Sequence, residues 1–202
     1  MFPDENKGQE WSEDTRGTAE ILEEFRSITK KAGTGYITFN RMHRSMLQQL
    51  MKTYKDPKLD IQKSPDIHFE GEMAADAGGP TKEYFYSAIE SLFNVDPIFG
   101  VSLFTGERGH YVPLMNMDAI SSGCFKMVGK LLAHSVLHGG PGLPGLAPAV
   151  RKYLVSGSVI DAADLVSVED IPDIDLRDLI ENKVCNLCYY HGYLFIYLFC
   201  PV

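Results

Sequence analysis

The chain has 202 residues, 45% hydrophobic and 23% charged, the balance of a soluble globular protein long enough for one sizeable core. Its 19 basic and 27 acidic residues leave a formal net charge of −8, which excludes the basic footprint a nucleic-acid-binding surface needs. The longest strongly apolar run, Tyr193 to Cys200, is too short to span a bilayer.

Eight acids (Asp4, Glu5, Glu10, Glu13, Asp14, Glu20, Glu23 and Glu24) face only Lys7 and Arg16 within the first 25 residues. Such a segment stays solvated, so residues 1–17 are expected to be an acidic leader. Met1 to Arg16 does not read as a secretory signal, so an intracellular protein with reduced thiols is expected. An amphipathic helix is predicted from Thr18 to Ser27, with Ile21, Leu22 and Phe25 on one face. Thr34 to Phe39 is β-prone. Asn40 is a candidate cap for a helix in which Met42, Met46, Leu47, Leu50, Met51 and Tyr54 recur at helical spacing, closed by Pro57.

Ile67 to Glu70 alternates like a half-buried strand. Gly78-Gly79 then leads to Pro80, a first-turn residue, and to a helical stripe of Tyr84, Phe85, Ala88, Ile89, Leu92 and Phe93. Val101 to Phe104 and Tyr111 to Met115 flank Thr-Gly-Glu-Arg-Gly, the pattern of a hairpin. Phe125 to Leu137 is apolar nearly all round and predicts a helix buried on most sides, with Gly129 allowing close helix contact. Gly139-Gly140-Pro141 stops it. Short helical pieces follow at Pro148 to Val155 and Asp161 to Val166, then a longer one at Pro172 to Lys183 whose charges run from acidic to basic. The sum is an α+β domain, mostly helical with short strands and a hairpin.

Three motifs carry candidate chemistry. In Asp76-Ala-Gly-Gly-Pro-Thr-Lys-Glu, glycines permit a sharp strand-to-helix turn whose free N–H groups Asp76 can accept. Cys185, Cys188, His191 and Cys200 supply zinc-type ligands, but the spacing is not that of a standard finger and the residues between suit burial. His138-Gly-Gly-Pro-Gly142 is similar to an oxyanion-hole loop. A hydrolase of that kind also needs a G-x-S-x-G elbow, which neither Ser135 nor Ser156 and Ser158 provide. His43, His68, His110 and His134 suggest no constellation, and His134 is expected to be a hydrogen-bonded core residue. No catalytic, cofactor-binding or metal-binding residue is therefore assigned, and no cofactor is expected.

Two of these stretches together resemble the N-terminal lobe of HECT-type ubiquitin ligases. Asp76 to Phe85 is similar to that family's D-x-G-G-(V/P)-T-(R/K)-E-(F/Y/W)-F signature, with Thr81, Lys82, Glu83, Tyr84 and Phe85 in register. Phe125-Lys-Met-Val-Gly-Lys-Leu-Leu-Ala resembles its F-x-F-(V/I)-G-(R/K)-x-(L/I)-(G/A) helix, and Leu137-His-Gly-Gly continues in register. Gly139 to Gly145 and Ile171-Pro-Asp173 look more like the divergent branch that includes the G2/M-phase-specific ligase than like the WW-domain ligases. The resemblance covers about residues 18–183; residues 184–202 form an apolar tail without family counterpart.

The resemblance implies ubiquitin transfer through a cysteine thioester, with a ubiquitin-conjugating enzyme and ubiquitin as partners and a protein substrate. It places the nucleophilic thiol in a Thr-Cys context on a second lobe. Cys124, Cys185, Cys188 and Cys200 all lack that context, and Cys124 is expected to be a small core residue. The expectation is a truncated lobe, inactive alone. The alternative is a non-catalytic module that binds ubiquitin, a substrate or a partner lobe.

Overall fold

The computed structural model describes residues 17–71 and 79–184, with the backbone alone for 182–184. The acidic leader, the Asp76-Ala-Gly turn and the tail with Cys185, Cys188, His191 and Cys200 lie outside the described residues. Helix α1 (Thr18–Thr29) leads into strand β1 (Thr34–Phe39), helix α2 (Met46–Lys55) and strand β2 (Ser64–Phe69). The two strands pair in parallel, Thr34 with Ser64 through Phe39 with Phe69. Parallel neighbours need a crossover, and α2 supplies it. Inward Ile37, Phe39, Ile67 and Phe69 are all buried.

Helix α3 (Gly79–Glu90) continues into a 3-10 turn at Ser91–Phe93. Strands β3 (Phe104–Thr105) and β4 (Val112–Pro113) form the hairpin, followed by α4 (Met117–Ser121) and α5 (Cys124–Leu137). The chain closes with α6 (Pro148–Ser156), α7 (Val159–Ala163), a 3-10 turn at Val168–Asp170 and α8 (Ile174–Val184). The expected α+β, mostly helical fold is present. Its core gathers α2, α3 and α5 around the strand pair, with Leu50, Phe85, Leu92 and Leu131 fully buried. No helix among the described residues is long and apolar enough to cross a membrane.

Several expectations change. The second helix starts at Met46, not after Asn40. Ser45 is its cap, accepting from Gln48 N at 2.9 Å, and Asn40 instead turns its own loop by accepting from Met42 N at 2.8 Å. Met42 is consequently 91% exposed. The cause is tertiary: Ser45 Oγ donates to Asp96, 51 residues away in sequence, at 2.6 Å and fixes the cap there.

The hairpin is shorter than its flanking apolar runs because Tyr111 is taken by a third segment. Its N–H donates to Gly145 O, and its carbonyl accepts from Ala147 N, both at 2.9 Å. The helix expected from Asp161 begins at Val159, where the Ser158 hydroxyl accepts from Asp161 N. That expected from Pro172 begins at Ile174, with Asp173 accepting from Leu176 N.

Helix α5 is buried or half-buried except along one exposed strip, and that strip holds the glycine expected to make a close contact. Met127, Val128, Leu131, His134 and Ser135 face the core, while Lys126, Gly129, Lys130 and Ala133 are exposed. A Cβ added at Gly129 would meet nothing within 4 Å, so it makes no close helix contact. The tight glycine is Gly140. A Cβ there would strike the Ser135 hydroxyl and lie 3.1–3.2 Å from Phe85. The apolar face of α1 is also little used: Ile21 and Phe25 are 39% and 45% exposed, and the helix is held by Arg26 Nε donating to Val136 O at 3.0 Å.

Candidate functional site

The ends of β1 and β2, the loop of residues 40–45, α3 and the loop of residues 94–97 enclose a cleft of about 310 Å³. Local chemistry builds its wall. After Phe39 the chain cannot continue pairing, and Asn40 closes it off: Asn40 N donates to Gln49 Oε1 at 2.9 Å, Gln49 Nε2 returns to Asn40 O at 3.0 Å, and Asn40 Nδ2 donates to Glu70 at 2.7 Å. Arg41 lays its guanidinium over the Phe69 ring at 3.9 Å and pairs with Glu83 of α3 at 2.8 Å. An arginine stacked and paired in this way is oriented by its planar fork.

The floor is organised by Asp96. Its Oδ2 accepts from Ser45 Oγ and from Leu47 N at 3.3 Å; its Oδ1 accepts from Ile98 N and Phe99 N at 2.9 and 3.1 Å. Burial pushes this carboxyl up, but the Ser45 hydroxyl and the Phe99, Ile98 and Leu47 N–H groups outweigh it and hold the pKa below its ordinary value. Asp96 thus ties the start of α2 to the loop of residues 94–100. Three polar groups in and beneath the cleft are engaged in structure. Ser45 is bound to Asp96, Ser91 Oγ donates to Ala88 O, and His43 Nδ1 accepts from Ser45 N. Such a cleft is equipped to bind through Arg41, Arg44, Asn94 and exposed apolar neighbours such as Val95, 67% exposed.

The residues singled out from sequence are dispersed. Gly79 and Pro80 open α3; Tyr84 and Phe85 are core, 1% and 0% exposed; Glu83 faces the cleft. Cys124 is 2% exposed, its sulfur 3.3 Å from Ser122 Oγ. The His138 to Gly142 segment is a helix stop: Gly139 takes φ +78°, Gly140 N donates to Ser135 O at 2.8 Å, and Ser135 Oγ donates to Pro141 O at 2.7 Å. Ser135 is fully buried.

His134 is the expected core histidine. It is 1% exposed, with Nδ1 3.0 Å from Tyr54 Oη and its ring edge-on to Phe85. Burial, and then the neighbouring His138, lower its pKa to about 3. Burial also lowers His138, whose Nε2 donates to Ile61 O, and raises both Tyr54 and Tyr84. The Tyr84 hydroxyl is buried without a hydrogen bond of good geometry among the described residues.

Two groupings escaped the sequence reading. One is the Ser45–Asp96 contact. The other is His110, whose Nδ1 donates at 2.7 Å to Asp170, a carboxylate only 1% exposed. Both join positions more than 50 residues apart, beyond the reach of spacing rules. The one local signal was Ser167-x-x-Asp170, a capping box in which Asp170 accepts from Ser167 N at 3.0 Å.

No family model matches the chain. It is similar to the E3 ubiquitin-protein ligase NEDD4 of Rattus norvegicus, 27% identical over 128 residues. The match takes in 60% of this chain but 14% of that protein, so the chain spans a small part of the relative's length.

Proposed function

We propose that the chain is the scaffold lobe of a HECT-type ubiquitin-ligase domain, a unit that docks partners and carries no transferring thiol. The similarity to a ubiquitin ligase over 128 residues carries this reading, and the two motifs ending in Tyr84-Phe85 and running from Phe125 to Gly140 support it. On this reading residues 18–183 are the lobe, 1–17 its leader and 184–202 a segment foreign to the family. The Gly139 to Gly145 stretch and Ile171-Pro-Asp173 support the divergent branch. The partners are a ubiquitin-conjugating enzyme and ubiquitin, inside the cell.

A thioester needs an accessible thiolate. Cys124 is buried in the core, and the other three cysteines lack the Thr-Cys context. The chain alone therefore forms no ubiquitin adduct when incubated with activating enzyme, conjugating enzyme and ubiquitin. A thiol-sensitive adduct that disappears when one cysteine is changed to serine would overturn this. The second reading, a non-catalytic interaction module, draws on the cleft, where Arg41 and Arg44 lie beside exposed Val95. Ubiquitin binding without conjugating-enzyme binding, read by calorimetry, would favour it.

A further inference from the structure

Strand β1 has an open edge. Its parallel ladder with β2 runs unbroken from Thr34 to Phe39, and at its two ends Ser64 N donates to Gly33 O and Glu70 N to Phe39 O. Bonding alternates along each strand of a parallel ladder, so Gly33, Gly35, Ile37 and Phe39 turn their backbone groups toward β2. The N–H and C=O groups of Thr34, Tyr36 and Thr38 point the other way. Among the described residues nothing pairs with them. All three side chains are exposed, Tyr36 by 72%. The Tyr36 ring stacks with His68 of β2, their centroids 6.2 Å apart, so it lies away from the open edge.

An open edge is normally guarded by charge, proline or a bulge. β2 carries Pro65 and Asp66, whereas Thr34-Gly-Tyr-Ile-Thr-Phe39 has no charge, no proline and no break in register. The edge is also its own complement. With a second copy laid antiparallel about a twofold axis at Tyr36, Tyr36 faces Tyr36, and Thr34 of each copy faces Thr38 of the other. These are the residues whose backbone groups point outward, so every facing pair exchanges both N–H···O bonds. Opposed threonines are favourable, and no like charges meet. This twofold match singles out a second copy over an unrelated strand.

We propose that β1 is a homodimerisation edge: two copies pair antiparallel through Thr34, Tyr36 and Thr38 and join their two-stranded sheets into one continuous sheet, β1 against β1 at its centre. The inference uses backbone geometry alone and stands apart from the ubiquitin reading.

Sedimentation of the full 202-residue chain tests it. The mass should rise with protein concentration from 22.6 kDa toward twice that value. Tyr36→Pro removes the outward N–H and leaves the bonds to β2 in place; it should weaken the dimer about tenfold, the equivalent of losing the bonds of one facing pair. Tyr36→Lys, a change at an exposed position that sets like charges opposite each other, should weaken it too. Facing Cα atoms in such a pair lie about 5.5 Å apart, within disulfide reach. Oxidised Tyr36→Cys should therefore form a linked dimer beyond the wild-type level. Thr34→Cys alone should not, whereas a mixture of Thr34→Cys and Thr38→Cys should. A chain that stays monomeric at every concentration overturns the proposal. So does a dimer indifferent to both Tyr36→Pro and Tyr36→Lys, or Thr34→Cys alone linking as readily as Tyr36→Cys.

Discussion

Burial holds the His134 imidazole neutral, with its pKa at about 3 against 6.5 for the free side chain. Between those values the unfolded chain binds a proton that the folded one refuses. The stability this neutral core position contributes is intact above about pH 6.5 and is lost as pH falls toward 3, by up to about 1.4 kcal/mol per pH unit. His138 is shifted in the same direction and acts in the same sense. Thermal unfolding should therefore show Tm falling from pH 7 to pH 4.5, with a shallower fall in His134→Gln. Asp96 works lower on the scale: its depressed carboxyl contributes above about pH 4, and that contribution disappears only in stronger acid.

Two glycines of the same region separate by environment. Gly129, exposed in the interior of α5 with open space around it, should gain about 0.8–1 kcal/mol as Gly129→Ala. Gly140→Ala should lose about 1–3 kcal/mol through collision with Ser135 and Phe85. Equilibrium urea unfolding of the two variants reads both signs.

At the scale of elements, periodicity located nearly every helix. It placed the starts of α1 and α6 but failed at the start of α2 and at the hairpin, where the competing contact came from elsewhere in the chain. Asp96 decided where α2 begins, and Gly145 took the Tyr111 backbone that a longer hairpin would have used. His110 and Asp170 tie the hairpin loop to the turn before α8 in the same way. Arg177 reinforces the tie, donating through Nη1 to Glu107 at 3.2 Å and through Nη2 to Ile171 O at 2.7 Å. His110→Ala leaves the buried Asp170 carboxylate with the Ser167 N–H and without its imidazole donor. A loss of about 2–3 kcal/mol is expected, with faster hydrogen exchange in the Val168–Asp170 turn than in β1. Unchanged exchange at that turn would show that the pair does not anchor it.

For the whole molecule, the ubiquitin-ligase reading rests on the motifs and on similarity to a small part of one ligase. The fold's contribution is positional. It puts Tyr84 and Phe85 into the core and leaves Glu83 at the cleft, so one motif divides between packing and surface. It also turns the Phe125 to Leu137 segment so that Lys126, Gly129, Lys130 and Ala133 form its one exposed strip. The cleft itself was not legible, because its residues come from four separate stretches of sequence between Phe39 and Pro97.

What the sequence by itself determined was the α+β class, the helix stripes and the glycine stop at Gly139-Gly140. These depend on local periodicity, backbone freedom and composition, all of which act over a few residues or over the total. Only the tertiary structure decided that Ser45 caps α2, that Gly140 rather than Gly129 is the tight glycine, and that His110 meets a buried carboxylate. Each of those outcomes is a contact or an open space created by packing, and packing is set by every neighbouring element at once.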